Sequence, residues 1–159
     1  MAQVELICGK ICSGKTTYAQ TLLQGEKTVA LSCDEAVRML EEVLCDDYDA
    51  AAAQVKRYLH KKAVDLAKVG CRVVLDWGFW TRAERETVSA YYTQHGVSIR
   101  WHYIDVSDAQ WERQIAARNA RVHAGEADEY LVDTGLRAKL LSRFEAPERN
   151  EMDVWIERA

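Results

Sequence analysis

No uninterrupted apolar run in this 159-residue chain approaches the roughly 20 residues that a helix needs to cross a bilayer. The N-terminus enters its first apolar segment with no charged stretch or cleavage site ahead of it, so the expectation is a cytoplasmic protein with no membrane partner. Positive charge is not in excess either, since 21 Lys and Arg face 25 Asp and Glu and leave a formal net charge of −4. Without an overall basic field, nucleic acid remains a possible but not a favoured partner. The cysteines are odd in number, the five being Cys8, Cys12, Cys33, Cys45 and Cys71, which reads as reduced thiols rather than a disulfide framework. Proline is all but missing, and Pro147 marks where the last helix must stop. There is no internal repeat, low-complexity tract or linker, so residues 1–159 should form a single domain.

What the chain does have is alternation. With 48% hydrophobic residues it can bury a core, and short apolar strands are expected at 4–8, 28–32, 72–76, 98–104 and 154–156. Amphipathic helices fill the intervals, beginning near Lys15 and spanning 34–44, 50–69, 81–95, 108–122 and 134–145. Thr81 and Glu84 stand at capping-box spacing, and Gly70 and Gly96 follow helix ends. Strand–helix alternation of this kind predicts an α/β fold with a five-stranded parallel sheet between two layers of helices. The polar stretch 123–133 lacks periodicity, contains Gly125, Glu126, Asp128, Glu129 and Asp133, and is a candidate for part of a mobile lid at about 118–133.

The segment Gly9-Lys10-Ile11-Cys12-Ser13-Gly14-Lys15-Thr16 fills the pattern G-x-x-x-x-G-K-[ST] between the first strand and the first helix. Backbone N–H groups of such a loop point at phosphates, and the helix N-terminus adds positive potential. The expected nucleotide contacts are therefore Gly9, Cys12, Ser13, Gly14, Lys15, Thr16 and Thr17, with Lys15 on the outer phosphates and the Thr16 hydroxyl on magnesium. Cys12 sits inside the loop, where a zinc ion would obstruct the nucleotide, so the Cys8–Cys12 spacing is not read as a metal site.

In an open parallel sheet, ligands bind beyond the carboxyl ends of the strands, so polar residues there are the next candidates. Asp34, after the second strand, is either a helix cap or a general base that takes a proton from an acceptor hydroxyl. Arg38 lies one helical turn further on the same side and can bind an anionic part of the acceptor. Asp76 ends the third strand, the usual place for a carboxylate that holds magnesium. Trp77 follows it, so the second acid with which many motor ATPases activate water is missing, which fits transfer to another acceptor better than hydrolysis. Arg82 and Arg85 stand at a helix N-terminus, where the dipole disfavours cations, so they either face an anion of the substrate or pair with neighbouring acids such as Glu84, Glu86 or Asp76. Trp77, Phe79 and Trp80 either wall an acceptor pocket or pack in the core. On the fifth helix, Ile115, Arg118 and Val122 fall within about 40° of Trp111, placing Arg118 on the apolar stripe with Arg121 on its flank. A buried arginine needs an anion, and Arg118 and Arg121 are the expected lid cations for the outer phosphates.

In this order of motifs the chain resembles the small phosphate-loop kinases: the polynucleotide 5′-kinase domain, zeta-toxin-type kinases, chloramphenicol phosphotransferase and small AAA-type ATP-binding proteins. The resemblance covers nearly the whole chain and implies a P-loop NTP hydrolase fold of the nucleoside-kinase type, with a small helical lid. It also implies ATP and Mg2+ as cofactors, Asp34 as the general base, Arg38 as an acceptor contact, and Arg118-Asn119-Ala120-Arg121 as lid residues. Phe144-Glu145-Ala146-Pro147 resembles the loop that lines adenine, which makes Pro147 a nucleotide contact. One departure is local: polynucleotide kinases carry paired acids preceded by arginine at the base position, whereas here Cys33 precedes Asp34 and Glu35 follows it. The activity implied is an ATP-dependent kinase acting on a hydroxyl of a small-molecule or nucleotide acceptor. The alternative is a nucleotide-dependent switch or slow ATPase acting through a protein partner. A guanine-reading Asn-Lys-x-Asp is lacking, since Asn150-Glu151-Met152-Asp153 has no lysine. The basic residues Lys56, Arg57, His60, Lys61, Lys62 and Lys68 of the third helix are expected on a solvated face.

Overall fold

Five strands lie parallel in one sheet: β1 (Val4–Cys8), β2 (Thr28–Leu31), β3 (Arg72–Gly78), β4 (Ile99–Val106) and β5 (Val154–Arg158), in the order β2-β3-β1-β4-β5. The computed structural model describes residues 2–25, 27–40, 43, 47–127 and 129–159. Between the strands run α1 (Lys15–Leu22), α2 (Cys33–Met39), α3 (Tyr48–Lys68), α4 (Arg82–Gln94), α5 (Asp108–His123) and α6 (Thr134–Arg143), and a 3-10 turn (Arg149–Glu151) precedes β5. The central strand β1 is buried at every position, as a strand covered on both faces must be. Its alternation assigns the layers. Val4 and Leu6 pack with Ala63, Val64 and Ala67 of α3 and Val88 and Tyr92 of α4, while Ile7 packs with Val74, Ile104 and Ala19 of α1. No described helix is long and apolar enough to cross a membrane.

Most element boundaries follow local chemistry. Ser32, not Asp34, caps α2, its hydroxyl accepting from Glu35 N–H at 3.2 Å. Asp47 caps α3, which begins at Tyr48, two residues ahead of the expected start, and Thr81 caps α4. Glu84 reaches back to the N–H of Trp80 rather than to that of the cap residue. α2 ends at Met39, and the expected end at Leu44 lies outside the described residues, as does Cys45. α6 stops at Arg143 because Phe144 is already extended, with φ −74° and ψ 120°.

One feature of the α1 face was not foreseen in the sequence. Glu5, within β1, is fully buried. Its carboxylate accepts from Arg72 Nε at 2.7 Å and from His102 Nε2 at 2.6 Å, and the Tyr18 hydroxyl donates to His102 Nδ1 at 2.9 Å. Arg72 Nη1 also donates to the Leu22 carbonyl at 3.2 Å. The network therefore joins three central strands to the middle and the C-terminal end of the helix that follows the phosphate loop. Burial alone would push the Glu5 carboxyl up, but the hydrogen bonds and charge of His102 and Arg72 hold it net below its ordinary value.

Candidate active site

The loop from Gly9 to Thr16 is built at the point where β1 leaves the sheet. Gly9 N–H donates to the Gly78 carbonyl at 3.1 Å, stitching the loop to the end of β3. Gly9 also has no room for a side chain: a Cβ there would stand 2.8 Å from Ser13 Oγ and 3.3 Å from the Ile104 carbonyl. Gly14 has φ 88° and Cys12 φ 58°, left-handed values that turn successive N–H groups inward. Lys15 Nζ lies folded against the loop, donating to the Lys10 carbonyl at 2.5 Å. Burial lowers the pKa of this ammonium, with Asp76 opposing the shift. Burial conversely raises the pKa of Asp76, with Lys15 and the Thr16 hydroxyl opposing it. Both ionised groups are thus short of compensating charge.

Thr16 Oγ1 donates to Asp76 Oδ2 at 3.2 Å, so the hydroxyl and carboxylate expected to hold magnesium share one spot. One hydroxyl and one carboxylate beside a phosphate cradle suit magnesium, which keeps most of its ligands as water and phosphate oxygen. Among the described residues no three His, Cys, Asp or Glu side chains gather into a metal-binding group. Two buried polar atoms at the loop have no hydrogen-bond partner among the described residues: Ser13 Oγ and Arg118 Nε. An entering phosphate offers acceptors to both.

Arg118 reaches the loop as its place on the apolar stripe of α5 requires. Trp111 and Ile115 are buried, and Trp111 Nε1 donates to the Ile11 carbonyl at 2.7 Å, docking α5 on the loop. Arg118 Nη1 then stands 3.5 Å from Cys12 Sγ, and its Nε is 3.8 Å from Glu129. Arg121 is exposed and points at the same Glu129 carboxylate, 3.6 Å away. Within the stretch expected to form a lid, Asn119 holds Val132 through two hydrogen bonds, accepting its N–H at 2.8 Å and donating to its carbonyl at 2.9 Å.

Lys15, Asp34, Asp76 and Arg118 all open onto one cavity of about 1190 Å3 between α3, α4 and α6. Asp34 is exposed on the second turn-forming position of α2 and accepts a hydrogen bond from the Tyr48 hydroxyl at 2.9 Å. The cap alternative for Asp34 therefore falls away, because Ser32 fills that position. Trp77 and Trp80 line the cavity, whereas Phe79 is fully buried in the core. Lys56, Arg57, His60 and Lys61 also line it, correcting the expectation that this side of α3 is only a solvated face.

Three expected acceptor contacts are not brought there. Arg38 is half-buried on α2 and is not a wall of the cavity. Arg85 is buried and spent on structure: it pairs with Glu151 at 3.0 Å and donates to the carbonyls of Phe79 and Glu145. Arg82 is exposed and pairs with Glu86 at 3.0 Å and Glu148 at 3.4 Å. These two arginines thus answer the acidic partners beside them instead of a ligand in the cavity. Pro147, expected at the nucleotide base, does not line this cavity. The preceding Glu145 is tied to the start of α4, its N–H donating to Trp80 and its carboxylate accepting from Arg82 N–H, and Pro147 is buried without lining the cavity. Neither Tyr48 nor His60 carried a sequence signal as a site residue, since each looks like any polar-faced position of α3.

The sheet order, the loop and the helix that follows it define a phosphate-loop kinase fold. The chain belongs to the AAA domain family, which it matches over residues 4–147. Among solved structures it resembles a sugar kinase from Janibacter sp. HTCC2649, with 14% identity, coverage of 99% of this chain and 86% of that one, and a TM-score of 0.65. It also resembles the Mycobacterium tuberculosis APS kinase CysC in complex with AMPPNP and APS, at 20% identity, 99% and 90% coverage and a TM-score of 0.68. A gluconokinase from Sinorhizobium meliloti 1021 aligns at 13% identity, with 99% and 83% coverage and a TM-score of 0.63. At these identities the likeness establishes the fold. No curated protein matches the sequence.

Proposed function

We propose that this protein is an ATP-dependent kinase that transfers the γ-phosphoryl group to a hydroxyl of an acceptor held in the cavity beside Asp34. The whole chain acts as one kinase domain with residues 118–133 as its lid. The observation that carries this is convergence: the phosphate-loop lysine, the strand-end carboxylate, a second carboxylate free of capping duty and a lid arginine all face one cavity. The structural relatives support it through what their names state, a sugar kinase, a gluconokinase and an APS kinase with AMPPNP bound.

The acceptor hydroxyl donates a hydrogen bond to Asp34, which takes the proton as the oxygen attacks the γ-phosphorus. The bond from that phosphorus to the β–γ bridging oxygen breaks, and ADP carries away the electron pair. Lys15 leaves the Lys10 carbonyl for the outer phosphates, and Arg118 adds charge from the lid as the transferring group loosens. Thr16 and Asp76 would hold magnesium, which when bound neutralises phosphate charge. Tyr48, through its hydroxyl bond to Asp34, orients the carboxylate toward the acceptor.

The test is MgATP consumption with a panel of hydroxyl compounds: nucleosides, 5′-hydroxyl oligonucleotides, sugars and amino-sugar nucleotides. Stimulation by one of them with a phosphorylated product is expected, and its loss in Asp34→Asn assigns the base. Consumption that responds only to a protein partner, with no phosphorylated small product, supports the switch instead.

A further inference from the structure

Much of the cavity lies beyond the reacting groups, and its chemistry there is uneven. The wall next to Asp76 is aromatic. Trp77 follows Asp76 directly, its ring centroid lies 5.0 Å from that of His60 in an edge-to-face arrangement, and Tyr91 of α4 lies 5.9 Å from His60. All three side chains line the cavity. Lys56, which also lines the cavity, is paired with Glu84 at 3.6 Å, so its charge is answered within the wall.

His60 is held in one orientation. Its Nδ1 is 2.8 Å from the hydroxyl of Tyr92, and Tyr92 is fully buried in the core. Among the described residues that hydroxyl has no other hydrogen-bond partner, so its proton must point at Nδ1 or remain an unpaired buried donor, which costs about 1–3 kcal/mol. Donation from Tyr92 to Nδ1 places the ring proton on Nε2. With Nδ1 taken by Tyr92 and the side chain lining the cavity, Nε2 is the ring nitrogen left for His60 to offer a ligand there. Burial, with Lys56 adding to it, pushes the His60 pKa down to about 4, so at neutral pH the ring is uncharged and this donor is permanent.

We infer that His60, Trp77 and Tyr91 form a recognition subsite for a neutral, planar ring on the acceptor, one that carries a hydrogen-bond-accepting atom for His60 Nε2–H. This deepens the kinase assignment and rests on it for the word acceptor. The subsite and Asp34 line the same cavity, so an acceptor that places its ring in the one can present its hydroxyl to the other. Two aromatic walls and a single fixed donor suit a flat ring with a carbonyl or ring nitrogen. They do not suit a polyol, whose several hydroxyls would be left facing apolar surface. Tyr92 is a positioning residue here, acting only through the His60 tautomer.

The test is calorimetric binding in the presence of AMPPNP and magnesium, with uridine, adenosine and 4-(hydroxymethyl)benzamide as planar probes and gluconate and ribitol as polyol probes. At least one planar probe is expected to bind and the polyols are not. In His60→Leu the affinity for the planar probe should fall about tenfold, the loss of one hydrogen bond with a buried partner left unpaired, while AMPPNP binds as before. His60→Gln, whose amide keeps a donor, should recover most of the loss, and Tyr92→Phe should show part of it. Binding of the polyols equal to that of the planar probes, binding of no planar probe by protein that holds AMPPNP, or unchanged affinity in His60→Leu would each overturn the inference. A planar probe that binds through His60 but yields no phosphorylated product with MgATP counts against kinase activity and leaves the subsite standing.

Discussion

Asp34 shows what a single residue can and cannot disclose. Its sequence position fits a cap and a base equally, and only the hydroxyl of Ser32 on Glu35 N–H separates them, a contact that spacing does not specify. Freed from capping, Asp34 is expected to matter for transfer and not for nucleotide. Asp34→Asn should lower kcat by about 10²–10⁴-fold with AMPPNP affinity unchanged, measured by product formation and calorimetry. Arg118 was legible because a cation on an apolar stripe demands an anion. Arg118→Ala should lower kcat more than it weakens nucleotide binding, since its Nε stands beside the loop without a hydrogen-bond partner among the described residues; equal losses would assign it to ground-state binding. Arg85 obeyed the same logic with a different anion. Its demand for charge was readable, but the partner, Glu151, is 66 residues away in sequence and was not.

At the scale of elements, strand positions were legible because short apolar runs between turn signals have few other fates in an α/β chain. Boundaries were less so. β3, β4 and β5 each extend two residues further than the apolar pattern, since ladder hydrogen bonds continue past the last apolar side chain. The stretch 123–133 stood out in the sequence by its lack of periodicity, and the residue that fastens its far end, Asn119, sits within α5 where asparagine has no regular helical use. Asn119→Ala should cost about 1–3 kcal/mol locally by leaving the Val132 N–H and carbonyl without their partner. Hydrogen exchange at Val132 should accelerate while exchange in β1 stays as it was. Faster exchange throughout the sheet would instead mean that Asn119 supports the fold as a whole.

For the whole molecule, the least legible feature is the buried Glu5, His102, Arg72 and Tyr18 network, since a glutamate inside a central strand breaks the apolar pattern and its partners lie on other strands. Glu5→Gln leaves Arg72, itself about a third exposed, without its anion and His102 without its carboxylate acceptor, so it should destabilise the fold by about 1–3 kcal/mol in urea unfolding. Because the folded-state pKa of Glu5 is depressed, its contribution is present above the ordinary value of 4.5 and disappears as pH falls below it through the folded value. Stability of the natural protein should therefore drop with acidification in that window, and the variant should show a shallower drop. Resting on this frame, the phosphate loop, Asp76, Asp34 and Arg118 meet at one cavity. Calorimetric titration of AMPPNP with magnesium into the natural protein and into Lys15→Ala decides whether they meet around a nucleotide. One site per chain, weakened at least about a hundredfold in Lys15→Ala, is the expected result, as for an ammonium that contacts the outer phosphates directly. Equal affinity in the two proteins, or no binding to either, would contradict it.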